Sequence, residues 1–451
     1  MAAAAPEVSA LGLLDAWQAA RQADPEYRAA MAAHDAGGAR RDQAAALWRP
    51  TLQLAAGAGV ADTRTSTRGA QFTAPGFGTS DGVDFDTSVN HGGSTRIALE
   101  ARQPLLSRAR DAQQRQLQLA ADAADLQWLS AGQALMLRTA ERYFDVVTAR
   151  ESLSVMQRQQ TQVEQSAAEA KDRFRIGDAP VTDTHEAAAR REAVRAEVLA
   201  AETRLEVARH ALADLTGLTA PEPEQLADGA ADAPLAPLAD WLADARAGNL
   251  LLRLQAAGVA SARQEAARYA RLASPTLDLV AQVGRDRVEG HGDFGSAADT
   301  RNNASIGVQF TVPLYTGGMR DARERETLGL AAQAAAEADR AGQQVAEQTH
   351  AAWLALSAGA GRVSALRASV KAAEARLDAT RLGREVGDRT TLDLLAAEND
   401  AASAELALLQ ARVQRVLDRL RLAALAGRLD EAALRQADAM LRPAGAVHSR
   451  P

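Results

Sequence analysis

Few residues in this 451-residue chain have the types and spacing that chemistry requires. Gly290-His-Gly-Asp-Phe-Gly295 spells G-x-G-x-x-G, but it follows an alternating segment, runs into a polar one and opens no helical pattern, so a dinucleotide site is not expected. The seven histidines show no metal-ligand spacing. No nucleophile–base–acid set is visible either, so the sequence nominates no catalytic residue, no metal site and no cofactor. What does recur is a charged turn. Ile176-Gly177-Asp178-Ala179-Pro180-Val181-Thr182-Asp183 and Val386-Gly387-Asp388-Arg389-Thr390-Thr391-Leu392-Asp393 each close one long heptad-patterned segment and open another. Gly-Asp breaks the first helix, and Thr with a following Asp can cap the second.

The elements that must position these turns are long helices. None of the 14 prolines falls between Pro104 and Pro180 or between Pro313 and Pro443. Proline in a helix interior costs roughly 3 kcal/mol, so its absence permits very long helices. Leu105 to Gly177 and Leu314 to Gly387 read as unbroken. Leu153, Met156, Val163, Ala167, Ala170 and Phe174 mark heptads in the first, and Val363, Leu366, Val370, Ala373, Leu377 and Thr380 in the second. Heptads resume after each turn, from Val194 to Leu218 and from Leu392 through Leu395, Ala402 and Leu409 to Leu420. Shorter helical stretches come earlier: Leu11 to Trp48, restarted at Asp24-Pro25-Glu26, and Leu238 to Leu272.

Between the short and long helices the period changes to two. Leu52 to Val60, Ile97 to Ala101, Leu277 to Val283 and Ile306 to Val312 alternate with polar or small residues, giving four strands of about ten residues each. Residues 62–94 and roughly 287–303 have no apolar period and are expected to be loops, the first long enough to be functional. Pro50-Thr-Leu-Gln-Leu54 matches Pro275-Thr-Leu-Asp-Leu279, so the chain is internally duplicated. Residues 1–218 form a first repeat, 219–237 a proline-rich linker, 238–429 a second repeat and 430–451 a C-terminal segment and tail.

Composition supports an extended helical protein. Aromatics are 4% and alanine is abundant, which suits close helix packing. The net charge of -7 gives no reason to expect nucleic acid, and Lys171 and Lys371 are the only lysines. No cysteine is present, which implies no disulfide and no lipid-bearing N-terminal Cys and fits an oxidising compartment. No apolar run reaches the ~18 residues of a transmembrane helix. Met1-Ala-Ala-Ala-Ala-Pro6 lacks a signal-peptide core and reads as a mature N-terminus behind an added Met, the signal having been removed.

The lengths fit together. Each long helix has about 73 residues, or ~110 Å, and the short helices of a repeat, about 38 and 39 residues, match it when stacked head to tail. The expected shape is a tall helical cylinder with the linker and both termini at mid-height and the strands at the end away from the turns. Ten-residue strands suit a transmembrane β-barrel, which needs ~9–11 when tilted. Trp48, Tyr269 and Tyr315 stand beside strand ends, where interfacial aromatics belong. Alternation alone equally describes a soluble four-stranded sheet with one buried face. Single-chain barrels start at ~8 strands and open edges are not tolerated in lipid, so the membrane reading requires an oligomer sharing one barrel.

Val312-Pro-Leu-Tyr-Thr-Gly-Gly-Met319 resembles the strand-to-helix signature of the TolC family of outer-membrane secretion and efflux channels. Asp24-Pro25-Glu26, Tyr143-Phe144-Asp145-Val146 and both Gly-Asp turns are similar to the family pattern in the right order, over roughly residues 10–430. The resemblance implies a mostly α fold with a small β part. An internally duplicated coiled-coil helical barrel would lie in the periplasm, and four strands per chain would enter a 12-strand barrel shared by a trimer in outer-membrane lipid. It also implies a periplasmic adaptor and an inner-membrane ABC or proton-driven transporter as partners. Its periplasmic gate would comprise Asp183 as a link, Arg389 as the gate arginine and Asp393 in a constriction ring that attracts cations. Ala396 stands where a second constriction acid is expected, and Arg384 where a gate tyrosine is expected, so the resemblance suggests an Arg384–Asp183 salt bridge. A helix N-terminal carboxylate is the plainer reading of Asp393. Gly177, Asp178, Gly387 and Asp388 would be exposed tips for the adaptor.

Three function classes remain: a trimeric conduit, a soluble periplasmic coiled-coil scaffold, and a hydrolase hidden in the loops, for which no residue is nominated. Within the first, the missing lipid-anchor Cys and the gate pattern favour type I protein secretion over multidrug or small-molecule efflux.

Overall fold

The computed structural model describes residues 11–227, 234–269, 275–293 and 295–442. The expectations for Met1–Pro6, Leu272, the middle of the 219–237 linker and the tail beyond 442 fall outside these residues. Two blocks of the same order emerge. The first has α1 (Leu13–Ala23), α2 (Pro25–Ala46), β1 (Thr51–Ala74), β2 (Gly78–Ser107), α3 (Arg108–Arg175) and α4 (Val181–Thr216). After β3 (Gln225–Leu226) the second has α5 (Leu238–Gly248), α6 (Leu250–Tyr269), β4 (Thr276–Gly292), β5 (Gly295–Thr311), α7 (Met319–Glu385) and α8 (Thr391–Leu425). α9 (Glu431–Asp438) and β6 (Leu441–Arg442) follow. The proline-free stretches yield helices of 68 and 67 residues. The mostly helical fold with one four-stranded sheet bears out the expected fold class.

The chain divides into two compact units. One holds the described residues of Gly38–Ala121 and Ala260–Ala332, with all four long strands. Its sheet is antiparallel throughout, ordered β1-β2-β4-β5. Register places Leu52 beside Ala101, Leu54 beside Leu99, Leu99 beside Val283, and Ala281 beside Ile306, so the apolar residues share one face. Nothing among the described residues covers that face; Leu52 is 70% exposed and Ile306 75%. Each such side chain left in water forgoes about 1.5–3 kcal/mol, which argues against a soluble sheet with one buried face. The other face is polar, with cross-strand pairs Arg96–Asp286 and Arg102–Asp278, each at 2.6 Å.

The expected loops are strands. Residues 62–94 belong to β1 and β2, and 287–303 to β4 and β5, apart from the short turns. The ten-residue strands are therefore the lower parts of strands 17 to 30 residues long. The apolar period breaks up beyond Val60 and Val283, where polar residues predominate on both faces and apolar contacts are scattered, such as Phe72 against Phe85 and the buried Val89. There the ladder is carried by backbone pairing and by links such as Thr73–Thr79 at 3.1 Å and Gln71–Asp81 at 2.8 Å. A ladder with few and scattered apolar residues leaves no sustained period-two hydrophobic signal. Gly290–Gly292 ends β4 and Gly295 opens β5, so the G-x-G-x-x-G string is a hairpin tip.

The other unit holds the described residues of Met1–Gly37, Asp122–Val259 and Gln333–Pro451. Its main core gathers Leu13, Trp17, Leu135, Tyr143, Phe144, Val413, Leu420 and Leu434 from α1, α3, α8 and α9. The buried Tyr143 hydroxyl donates to the Leu11 carbonyl at 2.8 Å and accepts from the Glu224 amide at 2.9 Å. Burial holds this phenol well above its ordinary pKa, so it stays a donor. Parts of the expected linker and C-terminal segment are thereby organised: Leu11 bridges Pro223, and β3 pairs with β6.

The expected Leu238-to-Leu272 helix is broken at Asn249, which caps α6 through the Leu252 amide at 3.1 Å, as Asp24 caps α2 through the Tyr27 amide at 2.9 Å. Asp24 is flagged by the proline after it, whereas Asn249 precedes Leu250. α4 ends at a left-handed Gly217 beside Ala23, and Gly427, also left-handed, follows α8 beside Gly248. A β-carbon on Gly427 would fall inside the Gly248 carbonyl, so the close approach demands glycine.

Candidate functional site

Both charged turns lie in this helical unit and end their long helices alike. Gly177 has φ 81° and Gly387 φ 80°, a region glycine enters freely. The Asp178 amide donates to Arg173 O at 2.8 Å, and the Asp388 amide to Gly383 O at 2.8 Å, while each glycine amide bonds three residues back. This doubled closure satisfies the last helical carbonyls. Gly177, Asp178, Gly387 and Asp388 are all exposed, next to Ile176 and Val386, each 74% exposed.

The two helices restart differently. α8 is capped by Thr390, whose hydroxyl accepts from the Asp393 amide at 3.1 Å, while the Asp393 carboxylate accepts from the Thr390 amide at 3.0 Å. This capping box realises the plainer expectation for Asp393. The Thr390 amide and hydroxyl, with a smaller contribution from Arg389, hold the Asp393 carboxyl below the ordinary carboxylate range. Arg389 is exposed and its side chain lies against Gly383. At the cap position of α4 stands Pro180, which offers no side-chain cap, so the expected threonine cap is made only at the second turn. Asp183 is left to accept from the Thr391 hydroxyl at 3.1 Å, joining α4 to α8.

The expected Arg384–Asp183 salt bridge is not formed. Arg384, only 5% exposed, places Nη1 3.0 Å from Glu169 Oε2 on α3, and Glu169 also meets Arg173 at 3.3 Å. Side chains in a helix lean toward its N-terminus. On α7 that direction leads back from the tip toward Glu169, whereas on α4 it carries Asp183 toward the turn and Thr391.

Below the tips lies a polar layer that the sequence reading missed. Glu398 on α8 is 3% exposed and stands 3.9 Å from Arg381. Burial raises its pKa against the pull of Arg381, Arg384 and Arg190. Buried Gln159 donates to Asn399 Oδ1 at 3.4 Å, and Arg190 donates to the same oxygen. A signal was available: Gln159 lies between Met156 and Val163, Glu398 between Leu395 and Ala402, and Arg384 one heptad after Leu377. Polar residues at seam positions fix register at a cost in stability. Two expected seam residues, Phe174 and Leu392, are exposed instead, and so is Ala396.

Of the sheet-end aromatics, Trp48 is half-buried and accepts from Gln103 through its carbonyl at 2.8 Å. Tyr269 lies 5.7 Å from the Arg268 guanidinium, and Tyr315 is exposed. Among the described residues no helix is long and apolar enough to cross a membrane.

The comparisons agree with this geometry. Proteases secretion protein PrtF of Dickeya chrysanthemi is 28% identical over 451 residues, spanning 97% of this chain and 93% of that protein. Outer membrane protein TolC of Escherichia coli (strain K12) is 27% identical over 430 residues, 93% and 83% of the two chains. The solved outer membrane protein VceC of Vibrio cholerae shares the fold, with a TM-score of 0.70 at 18% identity over 93% of this chain and 97% of that one. The family described as "Outer membrane efflux protein" matches residues 16–218 and 241–428. The chain therefore belongs to the outer membrane efflux protein family, a family of channels and not of enzymes.

Proposed function

We propose that this chain is the exit duct of a tripartite export system, a trimer whose strands complete one 12-strand barrel in the outer membrane. The observation that carries this is the sheet. Its apolar face is uncovered, and the outer edges of β1 and β5 have no strand partner among the described residues. Lipid accepts the face, and copies of the chain close the edges. The helical unit would extend into the periplasm, with Trp48, Tyr269 and Tyr315 toward the membrane interface. Gly177, Asp178, Gly387 and Asp388, flanked by exposed Ile176 and Val386, suit docking of a periplasmic adaptor, which would recruit an inner-membrane ABC or proton-driven transporter. Asp183, Arg384, Arg389 and Asp393 form the periplasmic gate, with the Asp183–Thr391 and Arg384–Glu169 contacts tying one helical hairpin to the other.

Likeness to a protease secretion protein over nearly the whole chain supports type I protein secretion as the cargo class. Purified protein should migrate as a heat-modifiable trimer and form channels in planar bilayers. A detergent-independent monomer without conductance would leave the scaffold reading in its place. Co-purification with an ABC-type rather than a proton-driven transporter checks the cargo class.

A further inference from the structure

The layer beneath the tips holds more charge than it pairs. Arg384 on α7 and Glu398 on α8 are both buried, yet Nε and Nη2 of Arg384 and Oε2 of Glu398 have no hydrogen-bond partner. Buried unpaired groups of this kind are costly and tend to mark elements with two arrangements. Arg384 has two carboxylates to choose between. Glu169 on α3 holds Nη1 at 3.0 Å, and Glu398 lies 3.9 Å from Arg381, which stands one helical turn before Arg384 on α7. The choice has a mechanical meaning. Bonded to Glu169, Arg384 joins the α3/α4 hairpin to the α7/α8 hairpin; bonded to Glu398, it closes on its own hairpin and lets α3 go.

We propose that Arg384 is a two-position latch, tying the hairpins together on Glu169 and freeing them on Glu398. The inference rests on reading the tips as a gate. The exchange is a side-chain swing that trades one ion pair for another with no covalent bond made or broken, and a guanidinium fork fits either carboxylate. The neighbouring charges leave room for it: Glu169 keeps Arg173, Arg190 is engaged by Asn399, and Arg381 lies 3.9 Å from both Asp378 and Glu398. Proton linkage follows. Burial raises the Glu398 pKa in the tied arrangement, and pairing with Arg384 would lower it. Glu169 keeps Arg173 in both arrangements, so the linkage is carried by the buried Glu398: the arrangement in which Glu398 binds its proton more tightly gains on acidification, low pH holds the latch on Glu169, and rising pH releases it.

The test is open probability in planar bilayers, using the full chain. Glu398→Gln removes the releasing position and should lower open probability about tenfold, and Glu169→Gln removes the tying position and should raise it by a similar factor. Opposite signs are the signature, and shifts of the same sign, or none, overturn the latch. Wild-type channels should also close on going from about pH 7.5 to about pH 5, and the Glu398→Gln channel should not respond. Wild-type channels indifferent to that change overturn the latch even where a variant fails to assemble. A wild-type chain that forms no channel overturns the exit-duct reading and the latch together, whereas a wild-type channel with same-sign variants overturns the latch alone.

Discussion

The two tip turns close their long helices with the same backbone and then diverge at one residue. Asp183 and Asp393 each stand three places after the residue at the cap position of the next helix. Behind Asp393 that residue is Thr390, which engages the carboxylate locally; behind Asp183 it is Pro180, which has neither amide hydrogen nor hydroxyl to give. The same aspartate is therefore a cap in one turn and a cross-link in the other. The residues at the ends of the long helices diverge as well. Phe174 is 46% exposed while its counterpart Arg384 is buried, the reverse of what hydrophobicity alone would place. A duplicated motif acquires two functions when its neighbours release or consume one side chain.

The comparison breaks most decisively under covalent closure. Asp183→Cys with Thr391→Cys, in a chain with no cysteine of its own, should give a disulfide that lowers bilayer conductance about tenfold or more and is reversed by reductant. A crosslinked channel with unchanged conductance would remove the link from the gate. Next in size, Pro180→Thr supplies the first turn with the cap it lacks. Asp183 should then turn to its own helix, with open probability rising a few-fold, a shift of about 1 kcal/mol. Smaller again, Thr390→Ala should cost about 1 kcal/mol at the start of α8, seen as lost hydrogen-exchange protection at Asp393 and Leu394, with little change in conductance. The smallest effect is with acid. A carboxyl held low in the folded protein stabilises above its ordinary range and loses that contribution as pH falls through its lowered value. The Asp393 cap should accordingly persist at about pH 4 and fray below it.

Helices were legible because their signal is carried by every residue: absent prolines and sustained heptads fixed α3, α4, α7 and α8 to within a few positions. The upper halves of β1 and β2 were not, because a mostly polar ladder with scattered apolar residues has no sustained hydrophobic period. At the tips, sequence placed Asp183, Arg389 and Asp393 at the turns but mispaired Arg384. Spacing along the chain says nothing of the direction in which a helical side chain leans. Glu398 and Gln159 were legible in principle, as polar residues interrupting an apolar seam, and Asn249 was hidden because no proline follows it.

The uncovered sheet has a consequence for how the molecule comes into being. A lone chain can complete its helices from local contacts, but its four strands end in two hydrogen-bonding rims and a greasy surface that it cannot close itself. Such rims recruit strands indiscriminately. If three chains share one barrel, folding of the strands and meeting of the chains become a single event whose rate climbs steeply with concentration. Dilution, more than heat, should then be what leaves newly made chains stranded.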